Sequence, residues 1–412
     1  MTSLLQWLDH NEQERRRMRE VISLFREQDT VDELGIGVVR DTIANLLFPG
    51  VTTIQTRTRY FLFLPWVYAE VERKRLSGRD AAAEARRLQV KVVYALEHGG
   101  HHGSEGVIGW DAREKLKRFP SDIYWGGLGT YRIRQFAGSM DQYYRSLDTF
   151  YRRRQHYSSG DGDEVHERIR PNWHPALPDP PDDWLERTTL DLRWKDAEFL
   201  AERIVTAAPS SLLAHFLRDR VDVSAAPLPW EVGNADDLPD ELRRRLDHAR
   251  RFSLVMHSAP LLYNLMLAEK ATALGMSGPY TDWATKQRRR LDEWTDLVRV
   301  PGRGARDWDT DDFWKLIDDH HPQLRPPTRR FIAGWISLAA SDPAGIGSGT
   351  TGARRLIENR ERRVKGSRAR LFSPRALERW NGEAGTRQID YRWPVTRRLI
   401  TDINEGLDRA AT

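Results

Sequence analysis

The sequence predicts a mainly α-helical protein: multi-helical, with two or three helical domains joined by Pro- and Gly-rich linkers. Three observations predict it. Apolar residues recur at i, i+3, i+4 and i+7 over long stretches, the period of a helix with one buried face. Tracts rich in Pro, Gly and Ser interrupt that pattern. No alternation of apolar and polar residues is long enough for a major sheet, and no fixed-period repeat occurs. With 412 residues, 39% of them hydrophobic and including 15 Trp, 13 Phe and 12 Tyr, the chain has ample material for a packed core, which excludes global disorder.

Asp9, with Glu12 in capping-box spacing, starts a first helix whose face is Met18, Val21, Ile22 and Phe25. Arg15, Arg16, Arg17 and Arg19 crowd its first turns. Gly35 and Gly37 loosen the start of the next helix, which carries Val39, Ile43, Leu46 and Leu47 and ends at Pro49-Gly50. Thr52 and Gln55 repeat the capping-box spacing, so a helix is expected from Thr52 to about Pro65. A helix rich in Ala, Arg and Leu spans about Arg79 to Glu97, then a Gly/His loop from His98 to Gly106. Trp110–Arg118 reads as a short basic helix, Ser121 as the cap of the one after it, and Met140–Gln155 as an aromatic, basic helix.

Ser158–Asp163 is polar and flexible in composition, and Pro171–Asp183 reads as an extended connector. Helical patterning resumes over Trp184–Leu217, with Leu200, Ile204 and Val205 on one side. Asp240–Ala273 is a long helix or a pair kinked near Pro260. Pro227–Pro239, Val300–Arg306 and Ala344–Gly352 read as linkers, and a basic tail completes the chain. The expected division is an N-terminal helical domain over 1–157, a connector over 158–183, a central helical domain over 184–300 and a basic C-terminal region over 301–412.

Composition bounds the chemistry. There is no cysteine, which removes disulfides, thiolate metal sites and cysteine nucleophiles and fits a reducing cytoplasm. The N-terminus lacks the charge order of a secretory signal, and no apolar run reaches the roughly 18 residues of a membrane span. A cytoplasmic protein without a membrane segment is expected. Net charge is +5, carried by 56 Arg and only 9 Lys. Arginine favours planar, bidentate contacts with phosphate, but a GC-rich genome, which favours arginine codons, ranks first as the explanation, so composition alone does not indicate nucleic-acid binding.

Several motifs compete for a functional reading. The expected helix pair over Ile36–Leu64 would place Gln55, Arg57 and Arg59 where recognition side chains sit, although its later turns are too apolar for a groove. Lys115, Lys117 and Arg118 precede the expected helix N-terminus at Ser121, beside Tyr124 and Trp125, which suits phosphate contact plus base stacking. The tail is the most charged stretch, with Arg360, Arg362, Arg363, Lys365, Arg368 and Arg370 interrupted by Glu358 and Glu361. His98, His101 and His102 resemble a metal cluster, but a Gly-rich loop does not fix ligand geometry. Asp307, Asp309, Asp311 and Asp312 could hold Mg²⁺ in a nuclease, yet lack the ordered spacing of one. Phosphate-loop, nucleophile-elbow and HExxH motifs are absent. No metal site and no cofactor is expected.

At Asp32–Tyr68 (DELGIGVVRDTIANLLFPGVTTIQTRTRYFLFLPWVY), and again at Gly106–Trp125, Phe252–Glu269 and Gly382–Ile400, the chain resembles a family of uncharacterised bacterial proteins of unknown function. That resemblance implies a place in anti-phage defence islands, beside helicase-type and phospholipase-D-like nuclease proteins. It carries no catalytic residues with it. The expected role is therefore a non-catalytic nucleic-acid-binding or scaffolding subunit of such a system. Arg360, Arg362, Arg363, Lys365, Arg368 and Arg370, with Lys115, Lys117 and Arg118, would contact DNA, and a helicase or nuclease would be the protein partner. A divergent metal-dependent nuclease and a protein-binding adaptor without nucleic-acid contact are the alternatives.

Overall fold

The computed structural model describes residues 32–101, 103, 105–158, 170–233 and 238–409. The expected helix capped by Asp9, His102 and residues 159–163 lie outside them. The described residues form fifteen α-helices and no strand; one isolated bridge joins Arg134 to Trp173. The protein is mainly α. No helix among the described residues is long and apolar enough to cross a membrane. Two compact units divide them: 32–43 with 239–391, and 44–238 with 392–409. Each is discontinuous in sequence, whereas reading along the chain divides it into consecutive blocks.

The second unit is built around α2 (Tyr60–Arg73). Its residues Tyr60 to Tyr68 are all buried, so the helix continues through Pro65 to Arg73 rather than ending there. It packs on α3 (Gly78–His98) and α4 (Pro120–Thr130), and α3 packs on α5 (Met140–Ser158). Gly127 of α4 permits the close approach: a Cβ there would lie 2.6 Å from the Gly50 carbonyl oxygen. Tyr68, Trp125, Tyr143 and Trp173 form a ring cluster with centroids 5.3–6.1 Å apart. The Pro-rich stretch belongs to this core, since Trp66 Nε1 donates to the Pro178 carbonyl at 2.7 Å. The α6 (Trp194–Ala207) and α7 (Leu212–Arg218) helices receive α15 (Trp393–Asp408), whose Trp393 is fully buried and donates to the Ala226 carbonyl at 2.9 Å.

Thr52–Arg59 is a turn-rich loop, not the start of a helix. Half of the expected capping box does form: the Thr52 N–H donates to Gln55 Oε1 at 3.1 Å. The rest of the loop is held from a distance. Asp402 of α15 accepts from Arg57 Nε and the Thr58 N–H, and the Tyr124 hydroxyl accepts from the Thr56 N–H and donates to the Arg57 carbonyl. Arg59 is buried against the Thr189 and Asp191 carbonyls, and burial brings its pKa down to about 10. These side chains face inward, which corrects the base-reading geometry expected of them.

The first unit is organised by α8 (Asp240–Ala273), one continuous helix through Pro260. Its middle is buried on nearly all sides by α9 (Tyr280–Arg299), α11 (Pro326–Ser341), α12 (Pro343–Ser348) and α13 (Thr351–Lys365). Short helices α10 (Thr310–His320) and α14 (Pro374–Leu377) complete the set. Aromatic donors from other elements reach α8: Trp294 Nε1 to the Leu254 carbonyl, Trp335 Nε1 to Ser258 Oγ, Trp380 Nε1 to Asn264 Oδ1 and the Tyr391 hydroxyl to the Ala249 carbonyl, all at 2.8–3.1 Å. Ala344–Gly352, expected as a linker, is partly α12, because Asp342 caps it by accepting from the Gly345 N–H at 2.8 Å. The α1 helix (Gly37–Leu47) is held at its start by Asp32, which accepts from the Ile36 and Gly37 N–H groups.

The ends of α2, α4 and α7 share a feature. In each, a six-to-one hydrogen bond closes the helix (Leu76 N–H to Val71, Ile133 to Leu128, Val221 to Phe216), and the left-handed residue is an arginine: Arg75, Arg132 or Arg220. Glycine takes that place after α8, at Gly275. We expect Arg132→Gly, at an exposed site, to stabilise the protein by about 0.5–1 kcal/mol in urea denaturation and Arg132→Ala to give no such gain.

His257 makes the first unit sensitive to acid. It donates through Nε2 to the Thr386 carbonyl at 3.0 Å, and burial lowers its pKa from the ordinary 6.5 to about 4. The unfolded chain therefore binds this proton more readily than the folded one. Stability of the first unit should be highest above pH 6.5 and fall by up to about 3 kcal/mol as pH drops toward 4. His257→Gln should flatten that slope in a pH series of denaturation curves.

Candidate nucleic-acid interface

Helix α13 decides which of the tail cations face solvent. Its buried residues are Ala353, Ile357, Arg360 and Glu361, one helical stripe. Arg360 and Glu361 thus fall on the inward face despite their charge, while Arg362 and Arg363 fall on the exposed one.

Arg360 is 6% exposed. Its Nε donates to the Leu34 carbonyl at 2.6 Å, and its Nη2 donates to the Gly35 carbonyl and to Thr328 Oγ1 at 2.8 and 3.0 Å. Burial lowers its pKa. Glu361 is fully buried and accepts from the Tyr263 hydroxyl, the Arg370 N–H at 2.7 Å and the Leu371 N–H at 3.1 Å. Lys365 Nζ donates to the Tyr263 hydroxyl at 2.8 Å and pairs with both Glu33 and Glu361. Arg370 pairs with Glu33 at 2.9 Å, and that carboxylate helps raise the Arg370 pKa against the lowering by burial. The structure therefore corrects the expected phosphate set. Arg360, Lys365 and Arg370 are engaged inside the unit by carboxylates and carbonyls.

Arg362, Arg363 and Arg368 remain exposed. The Arg362 guanidinium lies 3.9 Å from the ring centroid of Phe372, itself 43% exposed. This places an aromatic face, a stacked guanidinium and two further cations near one another in sequence on the exterior of the first unit.

The other predicted cations lie in the second unit. The expected basic helix over Trp110–Arg118 is only a 3-10 turn, Arg113–Lys115. Lys115 and Lys117 are exposed and Arg118 is half-buried, its pKa lowered by burial. The start of α4 is satisfied from within: Asp122 accepts from the Phe119 N–H and Gln89 Oε1 accepts from the Ser121 N–H, each at 2.9 Å. That replaces the anion site expected at Ser121.

Of the candidate metal residues, His98, His101, Asp307, Asp309 and Asp312 are likewise occupied, and Asp311 is exposed. His98 Nδ1 lies 3.0 Å from the Glu186 carbonyl oxygen, and His101 Nε2 accepts from the Leu190 N–H. Asp307 pairs with Arg251 and Asp309 caps α10. Asp312 pairs with Arg244 and accepts from His248, whose other ring nitrogen accepts from Trp308 Nε1. No group of three or more His, Asp or Glu converges as a metal site among the described residues.

A family model matches residues 2–406, almost the whole chain. The protein belongs to the family of unknown function DUF6361. No curated protein and no solved structure matches it.

One feature of this DUF6361 protein was not singled out from its sequence. In the second unit, the end of α2 and the last turns of α5 border an open cavity of about 550 Å³ lined by Glu72, Arg73, Arg75, Tyr151, Arg154 and Gln155. The run Arg152-Arg153-Arg154 gave a signal, but the cations that join it come from Arg73 to Arg75, some 80 residues earlier, and no local pattern connects them.

The inward network predicts a large, specific cost. Lys365→Met leaves Glu33 and Glu361 without the cation between them and should destabilise the first unit by about 3 kcal/mol in urea denaturation. Arg363→Met, on the exposed face, should change it by less than about 0.5 kcal/mol.

Proposed function

We propose that this protein is a non-catalytic nucleic-acid-binding or scaffolding subunit of a bacterial anti-phage defence system, acting in the cytoplasm. The observation that carries the reading is the exposed Arg362–Phe372 pair, with Arg363 and Arg368 also exposed. A backbone of phosphates attracts the cations, and an unpaired base stacks on an aromatic or guanidinium face. Lys115 and Lys117 add exposed charge on the second unit. The defence context rests on the family resemblance. In that context a helicase or nuclease partner would supply the chemistry and this chain the grip on nucleic acid. The nuclease alternative is disfavoured because Asp307, Asp309 and Asp312 are each engaged separately.

The test is binding to duplex and single-stranded DNA across a salt titration, with and without Mg²⁺. Binding without cleavage is expected, stronger for single strands. Arg362→Glu/Arg363→Glu/Arg368→Glu should weaken it at least about tenfold and reduce the slope of log affinity against log salt by about 2. Phe372→Ala should cost about 1–3 kcal/mol on single strands. Unchanged affinity in the triple variant would sink the assignment, and cleavage with Mg²⁺ would promote the nuclease.

A further inference from the structure

The cavity between α2 and α5 combines features that packing of the second unit does not require. Its cations are exposed: Arg73, bonded to Glu70, together with Arg75 and Arg154. Arg75 makes no side-chain hydrogen bond or ion pair among the described residues, and it sits in the left-handed position that ends α2, at φ +53°. Glycine fills that position more cheaply, as Gly275 does after α8. A cation does suit the end of a helix dipole, but Arg73 and Lys74 already supply that charge in the last turn. Arg132 and Arg220 share that backbone conformation, so what marks Arg75 is its unpartnered guanidinium at the edge of a cavity, free to meet a ligand.

Deeper in the cavity the charge reverses. Glu72 is half-buried, and one of its oxygens, Oε1, accepts from the Tyr143 hydroxyl, Asn172 Nδ2 and Trp173 Nε1 at 2.5, 3.1 and 3.0 Å. No donor among the described residues reaches Oε2. Burial raises the pKa of this carboxyl despite its donors. Tyr151 is fixed by its hydroxyl, which donates to the Leu76 carbonyl at 2.8 Å, and its ring forms one wall.

A simple anion would meet the arginines but gain nothing from Glu72. A ligand that satisfies both must carry negative charge at one end and an N–H group at the other, with a flat body to lie against Tyr151. The cavity volume is within the usual range of about 300–1,000 Å³ for small-ligand sites. We infer that this cavity binds a nucleoside phosphate, with the phosphate on Arg75, the base along Tyr151, and a base N–H donated to Glu72 Oε2. Guanine offers such a donor both at its ring N–H and at its amino group, which makes a guanine nucleotide a suitable probe. The source is either a free mononucleotide or the 5′-phosphorylated end of a strand. The site stands independently of the nucleic-acid reading of the α13 region.

The experiment is equilibrium binding of the full chain to GMP, to guanosine and to a short 5′-phosphorylated single strand with guanine first. Saturable binding of GMP or of the strand is expected, and it identifies which source the site takes. Guanosine should bind at least about tenfold more weakly. Arg75→Gly should weaken GMP or strand binding about tenfold while raising the unfolding midpoint, so lost affinity cannot reflect lost folding. Glu72→Gln keeps an oxygen for Tyr143, Asn172 and Trp173 but turns an N–H toward the base, and should also weaken binding about tenfold. The proposal is overturned if neither GMP nor the strand binds saturably, or if either variant binds as tightly as the parent.

Discussion

A carboxylate shut away from water must be surrounded by donors, and Glu361 sets that condition at the centre of the first unit. It draws in the Tyr263 hydroxyl from α8, two backbone N–H groups from the turn at Arg370-Leu371, and Lys365 from its own helix. Lys365 and Arg370 in turn hold Glu33, so the segment before α1 is pinned by the same charges. Two carboxylates face two cations, and the group is neutral as a whole. That neutrality makes its burial tolerable, and it explains why a stretch so rich in arginine folds inward on one side instead of lying wholly in solvent.

Much of the fold was legible along the chain. Asp240–Ala273 is a helix with the expected ends, and Arg79–Glu97 is extended by one residue at each end. In both, a continuous helical period outweighs any local breaker, and burial on nearly all sides carries α8 through Pro260. The stretch after Thr52 was misleading for a physical reason. The Thr52–Gln55 bond that normally starts a helix also closes a turn, and the path of the chain beyond it is decided by Asp402 and Tyr124, far away in sequence. The 344–352 tract misled in the opposite sense, since its glycines are compatible with a short helix once Asp342 caps it.

The candidate interface was legible as charge but not as direction. Density of arginine marks the tail, yet whether a given arginine meets solvent or a buried acid depends on partners such as Glu33, more than 300 residues earlier. One local clue existed. The spacing of Ala353 and Ile357 projects to Arg360 and Glu361, which puts those two on the core stripe and Arg362 and Arg363 off it. The cavity between α2 and α5 had no equivalent clue, because its walls come from separate segments and its most telling residue, Arg75, is distinguished only by its place at the cavity edge.

The order of segments along the chain has a consequence for synthesis. The second unit begins at residue 44 but is completed by α15, at Trp393–Asp408, whose tryptophan fills its core and whose Asp402 holds the loop before α2. Every residue of the first unit leaves the ribosome before α15 does. The unit that starts folding almost first must therefore wait, with the berth of Trp393 open, until the other has been made. During that interval its exposed apolar surface would be a natural target for chaperones.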